Sequence, residues 1–198
     1  GIEIINGTAV LRMNRWIPWM FAVLLFCICM EVTLFSTRSC NDVWWHLKSG
    51  QVILDLGRLP ETDVFTLEAE KWEWVNHEWL AQILYALVFK VGQDSFKSLI
   101  FFNGLLVSAA FLLLYQLMRK NRIPDMIAFA VCVFALWNSK HTLYVRPPVF
   151  TYIFFVYYMH VFASGNITLK KNAILCGLML LWTNLHGGAV LGLIMAFF

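Results

Sequence analysis

Residues 16–36, WIPWMFAVLLFCICMEVTLFS, carry a single charge, Glu31, in 21 positions. As a helix this run would be about 31 Å long at 1.5 Å per residue, the thickness of bilayer hydrocarbon. A cleaved signal sequence is the rival reading, but the run is too long and Phe35-Ser36-Thr37 is a poor small-residue cleavage site. Further apolar runs lie at 96–118, 124–138, 148–163 and 172–198. The chain is 60% hydrophobic and 14% charged, against about 45–50% and about 25% in soluble domains. A charged shell cannot be built from so few groups, so the bilayer is the expected solvent. The net charge is only +3. That excludes a nucleic-acid binder, whose affinity comes from dense Lys and Arg against phosphates.

The expected architecture is all-α, a multi-pass transmembrane bundle forming one domain over 1–198. It reads as the N-terminal part of a longer chain, because it begins at Gly1 and stops at Phe198 within an apolar run. The segment 37–78 stands apart, with four Lys or Arg against eight Asp or Glu and several tryptophans. It is expected to be an extracytoplasmic loop with interfacial amphipathic helices, moored by indole rings at headgroup level instead of by a core of its own. Asp42 is placed to cap a helix over 43–56 that Gly57 ends. A following helix should begin near Asn76 or His77. Its apolar residues Leu80, Ile83, Leu84, Leu87, Val88 and Val91 form the pattern of one buried stripe, with Gln82, Tyr85 and Lys90 elsewhere on the surface, so the helix is expected to lie on the membrane or pack against spans.

Pro124 opens a short third run, and Pro147-Pro148 precede a fourth. Lys170-Lys171 are expected in the next turn, and Thr183 to Gly188 break the last run into two short membrane segments. Lys and Arg concentrate in three short segments, at Arg12 and Arg15, at Arg119, Lys120 and Arg122, and at Lys170 and Lys171. By the positive-inside rule these lie on the cytoplasmic side of the inner membrane, with the N terminus. The acidic loop and residues 141–146 then share the outer face. Of five cysteines, Cys27, Cys29, Cys132 and Cys176 lie in apolar runs and read as helix fillers, and no zinc-type spacing occurs.

The densest polar group is Asn41-Asp42-Val43-Trp44-Trp45-His46-Leu47, directly after the first span. Asp42 reads either as a helix cap or as a carboxylate within reach of a lipid headgroup. Arg146 reads either as a snorkelling side chain or as a phosphate ligand, since guanidinium binds phosphate oxygens bidentately. His46, His77 and His186 are titratable groups on or near the same side, and Glu78 can orient His77 or face a cleft. His77-Glu78 does not continue as H-E-x-x-H, so a zincin-type protease has no support. Asn184 and His186 are polar at membrane depth, which usually means burial in protein or a lined cavity.

These stretches, with Gly57-Arg58-Leu59-Pro60, Asp63, Phe65, Trp74 to Leu80, Arg146-Pro147-Pro148 and Leu181 to Gly188, resemble a group of bacterial polytopic membrane proteins. That group is regarded as similar to the C-type glycosyltransferase superfamily. The resemblance spans about 16–198. It implies an enzyme taking a sugar from a polyprenyl-phosphate carrier at the outer face, with membrane lipids around it and a catalytic base at the position of Asp42. Arg146, His46, His77, Glu78, Asn184 and His186 are the expected substrate-binding residues. Many relatives carry a second acidic residue beside this base or two before it, where Asn41 and Cys40 stand here. No metal ligands or cofactor are therefore assigned, although a divalent metal stays open. The alternative is a non-enzymatic multi-pass protein, either a lipid-linked saccharide transporter or an assembly component.

Overall fold

The computed structural model describes residues 2–5, 8–11, 16–36, 41–67, 73–165 and 167–197. Arg12, Arg15 and Cys40 lie outside the described residues. Helices α1 (Ile17–Ser36), α2 (Asn41–Leu56), α3 (Trp79–Val91), α4 (Phe96–Lys120), α5 (Asp125–Ser139), α6 (Pro148–Phe162), α7 (Leu169–Leu185) and α8 (Val190–Phe197) follow one another. The all-α expectation holds from α1 onward. Ahead of it, β1 (Ile2–Ile5) and β2 (Thr8–Leu11) pair antiparallel with Ile2 opposite Leu11. The sequence signal for this pair is Asn6-Gly7 between two runs rich in β-branched residues.

Helix ends follow local chemistry. Gly57 adopts φ +65° after α2, a left-handed conformation that costs glycine little. Pro148 is the first residue of α6, where its missing N–H loses nothing. Thr168 caps α7 by accepting from the Lys171 N–H. Lys170 and Lys171 therefore stand in the first turn of α7 and not in the preceding turn.

Among the described residues, two helices, Ile17–Phe35 and Phe96–Lys120, are long and apolar enough to cross a membrane. α4 packs against α1, α5 and α6, while α2 and α3 form a closely packed pair that meets the bundle through α4 and α7. Leu25, Cys29, Leu99, Val107, Cys132, Leu136 and Trp182 are buried between the helices. Asp125 ties the start of α5 to the end of α4, accepting from Tyr115 Oη at 2.9 Å and Arg119 Nε at 2.6 Å.

Two expectations about α3 need correction. α3 begins at Trp79 and not at Asn76 or His77, because the Asn76 side chain takes the Glu78 N–H at 3.2 Å and holds the chain in a turn. Gln82 and Tyr85 are buried with Ala81 and Ala86 instead of lying on the surface, and of the apolar stripe Leu80, Leu84 and Val88 pack against the core while Leu87 and Val91 are exposed. Gln82 can turn inward because its Oε1 accepts from Asn76 Nδ2 at 2.7 Å, so its burial leaves that oxygen satisfied. Finally, Trp45 and Trp74 pack on Phe65, with ring centroids 4.3 Å and 5.4 Å from it. The aromatic rings of the 41–67 and 73–78 segments thus cluster together beside the Thr62–Glu73 bridge, while Trp45 stays exposed.

Candidate functional site

Asp42 lies in the first turn of α2 and does not act as the cap expected of it. Its carboxylate is held by Arg146, 104 positions along the chain, which sits just before the Pro147-Pro148 start of α6. Their side chains are 47% and 41% exposed, so the pair faces an accessible cleft and is not locked in a core. An exposed pair of this kind adds about 0–1 kcal/mol to stability. Position, and not fold stabilisation, is what it provides.

Glu78 stands beside this pair at the head of α3, and its side chain is only 18% exposed. Three imidazoles surround its carboxylate. His186 Nε2 lies 3.5 Å from Oε1, His77 Nε2 3.9 Å from Oε1, and His46 Nδ1 3.9 Å from Oε2. Burial pushes the Glu78 carboxyl above the ordinary glutamate range; His77 and Arg146 oppose the shift and Asp42 adds to it. Burial drives the His46 imidazole down to about 4, with Asp42 opposing and Arg146 and His186 reinforcing. His46 is therefore neutral at neutral pH, and its Nδ1 is buried without a hydrogen-bond partner.

His186 ends α7 in an extended conformation, φ −164° and ψ 141°. Its Nδ1 accepts the Gly188 N–H at 2.9 Å and faces Thr151 Oγ1 at 2.8 Å. The Thr151 hydroxyl in turn accepts from Trp182 Nε1 at 2.9 Å. With Nδ1 engaged as an acceptor, the neutral ring carries its proton on Nε2, the atom facing Glu78. Close approach makes glycine necessary at 188, where a Cβ would fall 2.5 Å from Thr151 Oγ1. Asn184 accepts from Trp79 Nε1 at 2.7 Å and so joins α7 to α3, one residue from Glu78.

Asp42, His46, Glu78, Arg146 and His186, with Trp45 and the two prolines, line a cavity of about 260 Å³. A second cavity of about 210 Å³, lined by His141, Thr142 and Tyr144 among others, shares Arg146 and Pro148 with it. A third, also about 210 Å³, shares Leu143 and Tyr152 with the second and is walled by Ala110, Phe111, Leu114 and Phe155. Five of the expected residues thus gather in one cleft. His77 borders it with a side chain 65% exposed, and Asn184 supports it from the α7 side. Among the described residues, no group of three or more His, Cys, Asp or Glu is arranged to hold a metal ion.

Sequence reasoning passed over Thr151, Trp182 and Trp79 as site residues. The available signal for Thr151 is that it is the one Ser or Thr between Pro148 and Phe162. Comparison of the chain with protein-family models, with curated proteins and with solved structures finds no match.

Proposed function

We propose that this chain is a multi-pass membrane protein that transfers a sugar from a polyprenyl-phosphate donor to an acceptor at the extracytoplasmic face. The observation that carries the reading is the run of three adjoining cavities. An apolar groove between α4, α5 and α6 shares Tyr152 with the cavity that Arg146 lines, and that cavity shares Arg146 with the acidic, histidine-rich cleft. That order, apolar then cationic then polar, matches an amphiphile with an isoprenoid tail, a phosphate and a sugar. Arg146 would meet the negative charge that develops on the departing phosphate. Asp42, the base position in the resemblance, and Glu78 are the two carboxylates on the sugar side.

The bilayer setting has its own support. Val23, Phe134, Trp137 and Leu180 are exposed, while Ser49, Gln82, Asn103 and Thr151 are buried. Soluble monomers rarely present contiguous apolar surface on this scale. Lipid as solvent also accounts for the exposed Leu87 and Val91 of α3, since apolar side chains there lose nothing by facing acyl chains.

The test uses the chain in lipid nanodiscs supplied with polyprenyl-phosphate sugar, reading donor binding and sugar transfer separately. Arg146→Gln is expected to lower donor affinity at least tenfold. Asp42→Asn is expected to impair transfer. Donor binding that ignores Arg146→Gln would overturn the phosphate assignment, and binding without transfer to any acceptor would favour a carrier or assembly component.

A further inference from the structure

The two carboxylates of the cleft differ in what holds them. Asp42 is engaged by the Arg146 guanidinium and nearly half its side chain is exposed. Glu78 has no guanidinium or ammonium partner among the described residues, and it is more enclosed. Its Oε1 faces an N–H, because His186 is fixed as the Nε2–H tautomer by Gly188 and by the Trp182–Thr151 hydroxyl chain. Its Oε2 faces the buried, unpartnered Nδ1 of His46. One oxygen thus has an N–H 3.5 Å away. The other lies 3.9 Å from a ring nitrogen whose tautomer no hydrogen bond fixes.

We propose that Glu78 is the group that takes up the acceptor proton, with His186 as the residue that positions its carboxylate. The inference rests on the lipid-linked-sugar reading and assigns a role within that site. In the step, the acceptor hydroxyl oxygen bonds to the anomeric carbon of the donor sugar. The bond from that carbon to the phosphate oxygen breaks, and the phosphate keeps the electron pair. The hydroxyl proton passes to Glu78 Oε2. The groups that set the proton affinity of Glu78 are Asp42 and His46 on α2, His77 beside it, Tyr85 on α3, Arg146 before α6, and His186 after α7. Burial supports the assignment, since a carboxylate withdrawn from water binds a proton more readily.

The experiment has two arms. In the first, the chain in nanodiscs is treated across a pH range with dicyclohexylcarbodiimide, which couples to protonated carboxyls in apolar surroundings, and adducts are quantified by mass spectrometry. Glu78 is expected to label at a pH above the ordinary glutamate range. Thr151→Val removes one of the two donors to His186 Nδ1 and weakens the Nε2–H contact, so the Glu78 midpoint is expected to rise by about one pH unit. Thr151→Ser should restore it. A Glu78 midpoint within the ordinary glutamate range, or one that falls in Thr151→Val, overturns the proposal.

The second arm follows sugar transfer against pH. Glu78→Gln is expected to abolish the acid limb of kcat/KM while donor binding persists, and Asp42→Asn is expected to keep that limb. The reverse pattern overturns the role of Glu78 alone. A parent protein that neither binds nor turns over donor overturns the lipid-linked-sugar reading, and with it the transfer role, while the labelling arm still reports the protonation of Glu78.

Discussion

The α2–α3 pair carries Asp42 and His46 on one helix and Glu78 at the head of the other, so its spacing sets the width of the cleft. Gly50 determines that spacing. A Cβ at Gly50 would lie 2.1 Å from the Gln82 carbonyl oxygen, 2.6 Å from its carbonyl carbon and 2.9 Å from Ala86 Cβ. The two nearest atoms belong to backbone, so rotamer changes cannot relieve the clash and the helices must separate by about 1 Å. Overpacking of this kind costs about 1–3 kcal/mol. Alanine returns up to about 1 kcal/mol of helix propensity. Gly50→Ala is therefore expected to destabilise by about 1–2 kcal/mol, which at this length lowers the midpoint by roughly 2–8 °C. Gly177 is the internal control, because it lies within α7 and a Cβ there meets nothing within 4 Å. Gly177→Ala should leave stability unchanged or raise it by about 0.5–1 kcal/mol. Thermal unfolding followed by tryptophan fluorescence in one detergent or nanodisc preparation checks both. Gly50→Ala as stable as the parent, or an equal fall in the two variants, would refute the close-approach argument.

Protonation of His46 gives a pH signature of the fold. Its pKa is lowered from 6.5 to about 4, so below pH 6.5 the unfolded chain binds the proton more readily than the folded one. This contribution is intact at neutral pH and is lost as pH falls through that window, by about 2 kcal/mol between pH 7 and pH 5. The difference in unfolding midpoint between parent and His46→Gln should follow that slope, and a flat difference would show that His46 does not stay neutral in the folded cleft. Trp79→Phe removes the hydrogen bond to Asn184 and should cost about 1 kcal/mol, with a similar coupling energy in a double-mutant cycle against Asn184→Ala. Additive effects would mean the two side chains do not interact. Gly188→Ala drives a methyl group into Thr151 and His186 and should cost about 1–3 kcal/mol. A shift of the Glu78 labelling midpoint should accompany it, and neither change would appear if the 186–188 turn were loosely packed.

Helices were legible where apolar length alone decided them. The run 16–36 becomes α1 and the run 96–118 becomes α4, extended by Arg119 and Lys120. The faces of the helices were less legible. In α3 the apolar stripe is only partly the packed face. Leu80, Leu84 and Val88 pack against the core while Leu87 and Val91 are exposed, and Gln82 and Tyr85 turn inward because hydrogen bonding and close backbone approach at Gly50 also decide which face packs. The candidate site was legible as a set of residue types but not as pairings. Local context made Asp42 a capping residue or a base. Its contact with Arg146 spans 104 positions, and no local pattern encodes that separation.

The stretch from Leu181 to Gly188 shows why a break can lie within an otherwise apolar segment. An uninterrupted helix would leave the His186 ring to be satisfied by chance neighbours, at a cost of about 1–3 kcal/mol for a buried polar group left unpaired. The extended backbone at His186 stops α7, and the groups this frees are taken up locally. His186 N–H bonds Trp182 O at 2.9 Å, Ala189 N–H bonds His186 O at 3.2 Å, and Gly188 N–H bonds the His186 ring. Trp182 directs its N–H to Thr151 and Asn184 takes the Trp79 N–H, so both anchor α7 to other helices. Gly188 leaves room for Thr151 beside the ring. The break therefore carries no uncompensated backbone cost at His186, Gly188 or Ala189, and what remains is an imidazole with one nitrogen fixed and the other aimed at Glu78. A turn needed only to reverse the chain would not require a histidine held in one tautomer.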